Sequence, residues 1–144
     1  MSYPSFRVVS GTTVVREKLT ELYGARRRGD GEGFAAGFAD DGVFHILGDT
    51  RLLPEAGPRQ GRRAIAQVIQ QCYRQYEYVD ALIVDMIVDL NLAAVRRQLI
   101  LRSRDTGAVG EFDAMDFIRL RDGEIVELTQ FMDTASLAVM SGRV

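Results

Sequence analysis

Three polar residues stand where the alternation of the chain predicts an apolar interior: Arg97, Asp116 and Gln130. Side chains of a strand point in turn to its two faces. Over residues 111–120 the even positions are Phe112, Ala114, Asp116, Ile118 and Leu120, an apolar face with one carboxylate at its centre. Over 125–133 they are Val126, Leu128, Gln130 and Met132, an apolar face with one carboxamide. Over 93–104 the apolar set is Ala93, Val95, Leu99 and Leu101, and Arg97 shares it. A polar group aimed into an apolar interior is costly unless it is paired or put to use. Two uses are open. One is the polar floor of a pocket that orients a polar group of a lipophilic ligand. The other is a structural Arg97–Asp116 ion pair with a hydrogen-bonded Gln130, whose desolvation can match its attraction.

Other reactive residues are few. His45 and Cys72 are the only histidine and cysteine. A His- or Cys-rich zinc site is therefore excluded, and no metal or cofactor is expected. His45 lies between Phe44 and Ile46, so it faces outward if those two face the core. Asp40-Asp41-Gly42 reads as a turn rather than as a paired acid and base. The glycines between Gly29 and Gly33 do not follow a strand and do not match a phosphate-binding loop.

The elements that position these residues follow from periodicity. Residues 1–11 read as an arm. A helix is predicted over 13–28, with Val15, Leu19, Leu22 and Tyr23 as its apolar stripe and Arg26, Arg27 and Arg28 as a solvated end. A short helix over 31–39 is capped by Asp30, and residues 43–47 form a short strand. Residues 48–61 hold Pro54, Pro58 and several glycines, and read as an irregular loop, either a lid or a plain connection. Over 61–77, Ile65, Val68, Ile69, Cys72, Tyr73 and Tyr76 recur at helical spacing. Tyr73 and Tyr76 are candidates to reach a pocket, with core packing as the plainer role. Strands follow over 78–90 and 93–104. An Asp122-Gly123 turn then joins two more as a hairpin, and a last helix starts near 133–134. Helices segregated from an antiparallel sheet make an α+β fold in one domain, 1–144. The outer face of the hairpin carries Met115, Phe117 and Phe131, so a homodimer through that face is expected.

Composition narrows the partners. Hydrophobic residues make up 47% and charged residues 26%, which are globular values. The net charge of −2 gives no field toward nucleic acid or an anionic membrane. No apolar run is long enough to span a bilayer, and no signal peptide is visible at the start. One cysteine suits a reducing compartment, so a cytoplasmic protein is expected.

Several stretches together resemble the NTF2-like superfamily, in the branch of SnoaL-like polyketide cyclases and ketosteroid-isomerase-related proteins. They are Leu22-Tyr23, Gly29-Asp30, Phe38 to Phe44, Gly61 to Ile65, Phe112 to Leu120, Gly123 to Glu127 and Phe131 to Ala135. The resemblance implies a cone of curved antiparallel sheet, three helices over its concave face, and commonly a dimer. It implies an apolar cone pocket for a small lipophilic carbonyl compound. The general base of the isomerases falls on Ile46. Their oxyanion-hole tyrosine falls on Leu22, with Tyr23 beside it, and the protonated aspartate of that hole falls on Asp116. The catalytic aspartate of the cyclases and of limonene epoxide hydrolases falls on Gln130, which cannot abstract a proton. The hydrolases' arginine matches Arg97, but the carboxylate two residues on is Leu99. Neither proton-transfer set is complete. The implied readings are isomerase, cyclase or dehydratase chemistry with Asp116 as the oxyanion donor, or a non-catalytic binding dimer with Arg97–Asp116 as an ion pair. In either, Tyr23, Arg97, Gln130, Tyr73, Tyr76 and Ile46 would line the ligand site. A third reading is a dimeric scaffold with a filled cone.

Overall fold

A computed structural model describes residues 11–144; the arm expected over 1–11 lies almost wholly outside them. Among the described residues four helices, α1 (Gly11–Arg27), α2 (Gly31–Ala35), α3 (Arg62–Gln75) and α4 (Thr134–Met140), accompany six strands. The strands are β1 (Phe38–Ile46), β2 (Gly57–Gln60), β3 (Tyr76–Asp89), β4 (Leu92–Ser103), β5 (Val109–Arg121) and β6 (Glu124–Met132). They form one open, curved sheet in the order β2-β1-β6-β5-β4-β3. The α+β class is as expected. All neighbours are antiparallel except β1 and β6, which run parallel. No helix among the described residues is long and apolar enough to cross a membrane.

The β5–β6 hairpin turns on Asp122 and Gly123, both with positive φ (52° and 80°). That is the backbone of a two-residue hairpin turn whose twist matches its strands. The β3–β4 turn is less comfortable. It uses Leu90 at φ 54° and Asn91, one residue earlier than the gap left between the strands expected over 78–90 and 93–104.

Parity holds in β4 and β5, where Ala93, Val95, Arg97, Leu99 and Leu101 and then Phe112, Ala114, Asp116, Ile118 and Leu120 are all buried. It fails in β3 and β6 for one reason. A β-bulge inserts a residue and turns the following side chains to the other face. Register shifts fall at Tyr78/Asp80 and Ile83/Asp85, so the inward residues of β3 are Ala81 and Ile83, then Met86 and Val88. Leu82 and Val84, which uninterrupted alternation would put on one face with Met86, are exposed. In β6 a shift beside Arg119/Leu120 buries Ile125 in place of Val126.

Two further expectations are corrected. Asp40-Asp41-Gly42 is a bulge inside β1, not a turn before it. A Cβ at Gly42 would stand 2.8 Å from the Ile125 carbonyl oxygen, which explains the glycine. Arg62 holds Asp40 at 2.7 Å and Arg121 holds Asp41 at 3.0 Å, so both carboxylates serve as clasps. The segment 48–61 is not all irregular. It contains β2, a short edge strand in which Pro58 pairs opposite His45.

The helices cover the concave face and close the core. Phe34 of α2 packs against Phe38 at a tilt and against Phe44 edge to face, with ring centroids 5.5 and 5.2 Å apart. From α3, Ile65, Val68, Ile69 and Cys72 are buried. The helix ends where Tyr76 turns extended (φ −130°, ψ 139°) and begins β3.

Candidate functional site

Three neighbouring strands bring the three interior polar residues together. Asp116 of β5 lies directly opposite Gln130 of β6. On the other side it faces Val95 of β4, two residues before Arg97, which makes Arg97 a diagonal neighbour within reach. Arg97 Nη2 donates to Gln130 Oε1 at 3.1 Å and pairs with Asp116 Oδ2 at 3.1 Å. From α1 above, the Tyr23 hydroxyl donates to the same Oδ2 at 2.5 Å, and the Arg97 guanidinium lies over the Tyr23 ring at 4.8 Å. Asp116 is fully buried, and Arg97, Gln130 and Tyr23 are 3%, 4% and 6% exposed. Burial, reinforced by the Asp116 charge, pushes the Tyr23 hydroxyl well above the usual tyrosine range, so it stays a donor.

The remaining candidates divide. Ile46 and Tyr76 are buried and line an internal cavity of about 20 Å³, together with Gln130. Tyr73 does not join them. It is 38% exposed on the far side of α3, under the Arg104 guanidinium at 5.1 Å and against Gly29. Its place at the edge of the α3 stripe turns it outward, which corrects the expectation that it reaches the pocket. His45 lies on the outer side of β1, between the buried Phe44 and Ile46.

Two residues that sequence reasoning passed over complete the interior. Arg26 is 4% exposed, not part of a solvated helix end. The signal was present: Leu19, Leu22, Tyr23 and Arg26 fall at i, i+3, i+4 and i+7, so Arg26 continues the buried stripe. Its guanidinium lies 5.6 and 5.2 Å from the ring centroids of Phe34 and Phe44. Burial works against its charge. The surrounding Tyr78, Cys72, Asp116 and Tyr23 outweigh that, and its pKa is raised. Glu55 is 2% exposed and accepts from the Tyr76 hydroxyl at 2.8 Å through Oε2. It sits in an aperiodic stretch, where no pattern marks burial. Among the described residues five buried side-chain polar atoms lack a partner. Four of them are Arg26 Nε, Arg26 Nη1, Arg97 Nε and Glu55 Oε1.

A groove of about 290 Å³ opens between α1 and β3, lined by Tyr23, Arg26, Tyr78, Ile83 and Arg97 among others. Arg26 and Tyr78 also line the internal cavity, so these two side chains stand between the two spaces. Asp116 lines neither.

Residues 19–128 match the SnoaL-like domain family. The chain belongs to the SnoaL-like family. Solved structures agree on the fold. A putative isomerase from Rhodopseudomonas palustris is 20% identical with a TM-score of 0.76, over 86% of this chain and 95% of its own. An NTF2-like protein from Burkholderia xenovorans is 23% identical with a TM-score of 0.75, over 88% and 95%. TerC, co-crystallised with polyporic acid, is 16% identical with a TM-score of 0.76, over 89% and 98%. No similar curated protein was found. The SnoaL-like domain and its NTF2-like cone are thus the frame in which the buried polar cluster stands.

Proposed function

We propose that this SnoaL-like domain binds a small lipophilic molecule through a carbonyl or other oxygen acceptor, entering by the groove between α1 and β3. Arg97–Asp116–Tyr23 is the structural brace of that site. One observation carries the reading. Asp116 accepts from both Tyr23 and Arg97 and lines neither the groove nor the cavity, whereas donor atoms of Arg26 and Arg97 lie buried without partners. Unspent buried donors call for an acceptor, since leaving them unmade is expensive. The wall beside them is apolar, with Ile83 and Ala81. That TerC, a protein of the same fold, was co-crystallised with a small molecule is in keeping with this.

A second reading is isomerase- or cyclase-type chemistry, with Asp116 serving an oxyanion through Tyr23. The 2.5 Å Tyr23–Asp116 hydrogen bond favours it, as does the likeness to putative isomerases. Under either reading the protein is a homodimer through the outer sheet face. There Met115 pairs opposite Phe131 beside Phe117, all three exposed.

The test is a neutral lipophilic fluorescent dye with a carbonyl acceptor, Nile red, titrated into the folded protein and into Ala81→Trp. Binding that falls about tenfold or more when the groove is filled supports the site. Equal binding by both proteins would send the dye to the outer face and remove the groove as the site.

A further inference from the structure

An arginine-lined pocket by itself suggests an anionic ligand. This pocket holds a second pole that changes the answer. Arg26 and Glu55 are the only charged side chains lining the internal cavity. Each is more than nine-tenths buried, and each keeps polar atoms unpartnered: Nε and Nη1 on Arg26, Oε1 on Glu55. They do not pair with each other. The ion pairs found among the described residues include neither. Arg59, close to Glu55 in sequence, is bonded to the carbonyls of Ala56 and Pro54 at 3.0 and 3.2 Å instead. Glu55 is held in place by Tyr76, which leaves its other oxygen as an acceptor. The side chains that line the cavity therefore carry spare donors on Arg26 and a spare acceptor on Glu55, of opposite charge.

We propose that Arg26 and Glu55 form a bipolar anchor for a neutral head group no larger than a water that both accepts and donates, a hydroxyl. A carboxylate would satisfy Arg26 and meet Glu55 as a like charge. A bare ketone would satisfy Arg26 and leave Glu55 Oε1 unmet, at the usual expense of an unpaired buried acceptor. At about 20 Å³ the cavity holds roughly one water, so only the head enters. The ligand body lies in the groove, which shares Arg26 and Tyr78 with the cavity, and a turn of half-buried Tyr78 joins the two spaces. The inference rests on the groove being the ligand site.

Three probes of similar size separate the possibilities: cyclohexanol (acceptor and donor, neutral), cyclohexanone (acceptor alone) and cyclohexanecarboxylate (anion). Affinities are read from amide chemical shifts of the full chain and of Glu55→Gln. The wild-type protein is expected to bind the alcohol about tenfold more tightly than either other probe. Glu55→Gln leaves Arg26 without an opposing charge in the cavity, so its preference should pass to the carboxylate. A wild-type preference for the carboxylate or the ketone, or an order unchanged in Glu55→Gln, overturns the bipolar anchor while the groove stands. Perturbation of groove residues by none of the probes, in either protein, removes the groove reading and the anchor with it. If Glu55→Gln fails to fold, Tyr76→Phe answers the same question. It removes the donor to Glu55 Oε2 and keeps the Glu55 carboxylate, so the alcohol must remain preferred and cyclohexanecarboxylate must be excluded further. A gain of carboxylate binding there overturns the proposal.

Discussion

Replacing Asp116 by asparagine tests the brace most directly. The shapes match, so packing is preserved and the perturbation is electrostatic. In the native protein the Arg97 side chain is 4% exposed and its carboxylate partner 0%. Removing one member of such a pair leaves a buried charge without compensation, which costs about 3–5 kcal/mol. The Tyr23 hydroxyl also loses a charged acceptor at 2.5 Å, a bond of the kind that contributes about 1.5–3 kcal/mol. The two losses share one carboxylate, so they are not additive, and about 3–5 kcal/mol is the working figure for the whole. At about 2–4 °C per kcal/mol for a chain of this length, Tm should fall by roughly 6–20 °C. Urea denaturation followed by circular dichroism gives the free energy. A cycle of Asp116→Asn, Arg97→Met and the double variant isolates the coupling. The double variant removes the stranded charge and should regain about 2 kcal/mol or more over the additive sum. A loss under about 1 kcal/mol for Asp116→Asn, with an additive double variant, would refute the brace.

Three further outcomes are expected. Leu90, 86% exposed at φ 54°, occupies a conformation that disfavours a large L side chain. Leu90→Asn should therefore raise urea-unfolding stability by about 1 kcal/mol, and a loss would show that the turn is not strained. Burial pushes the Cys72 thiol from 9.0 up to about 11, so folding favours its protonated form. The sign follows: that stabilisation is full below pH 9 and is lost as pH rises toward 11, with buried Tyr23 and Tyr76 acting in the same direction at higher pH. Cys72→Ala should flatten the first part of the alkaline decline in stability measured by urea titration at stepped pH. Phe131→Glu places a charge in the outer apolar face opposite Met115, and sedimentation should then give a monomer where the parent gives a dimer. A parent that is already monomeric at micromolar concentration removes the dimer.

Where local pattern and tertiary structure agree, the chain could be read directly. The even face of β5 and the odd face of β4 alternate without interruption, so Arg97 and Asp116 were visible as interior groups before any coordinates. Gln130 was found as well, although the bulge beside Leu120 replaced Val126 by Ile125 earlier in the same strand. The two bulges of β3 carry no residue signature, so alternation alone places Leu82 and Val84 on the wrong face. β2 was hidden because its Gly57-Pro58 start reads as loop, while an edge strand tolerates proline on its open side. The candidate site divides in the same way. Periodicity could have delivered Arg26, but three consecutive arginines at a helix end imitate a solvated terminus. Glu55 had no periodic frame at all, and its burial is set by elements that close over the segment 48–56 from elsewhere in the chain.

The margins of the sheet constrain how copies of this protein can meet. One margin is β2, four residues long and interrupted by Pro58, which has no N–H to give. The other is β3, fourteen residues long but thrown out of register twice along its length. A growing cross-chain ladder needs an unbroken row of regularly spaced N–H and C=O groups, and neither margin supplies one. Strand-by-strand extension into filaments is therefore blocked at both sides, even though the molecule exposes Leu82, Ile87 and Leu90 along its longer rim.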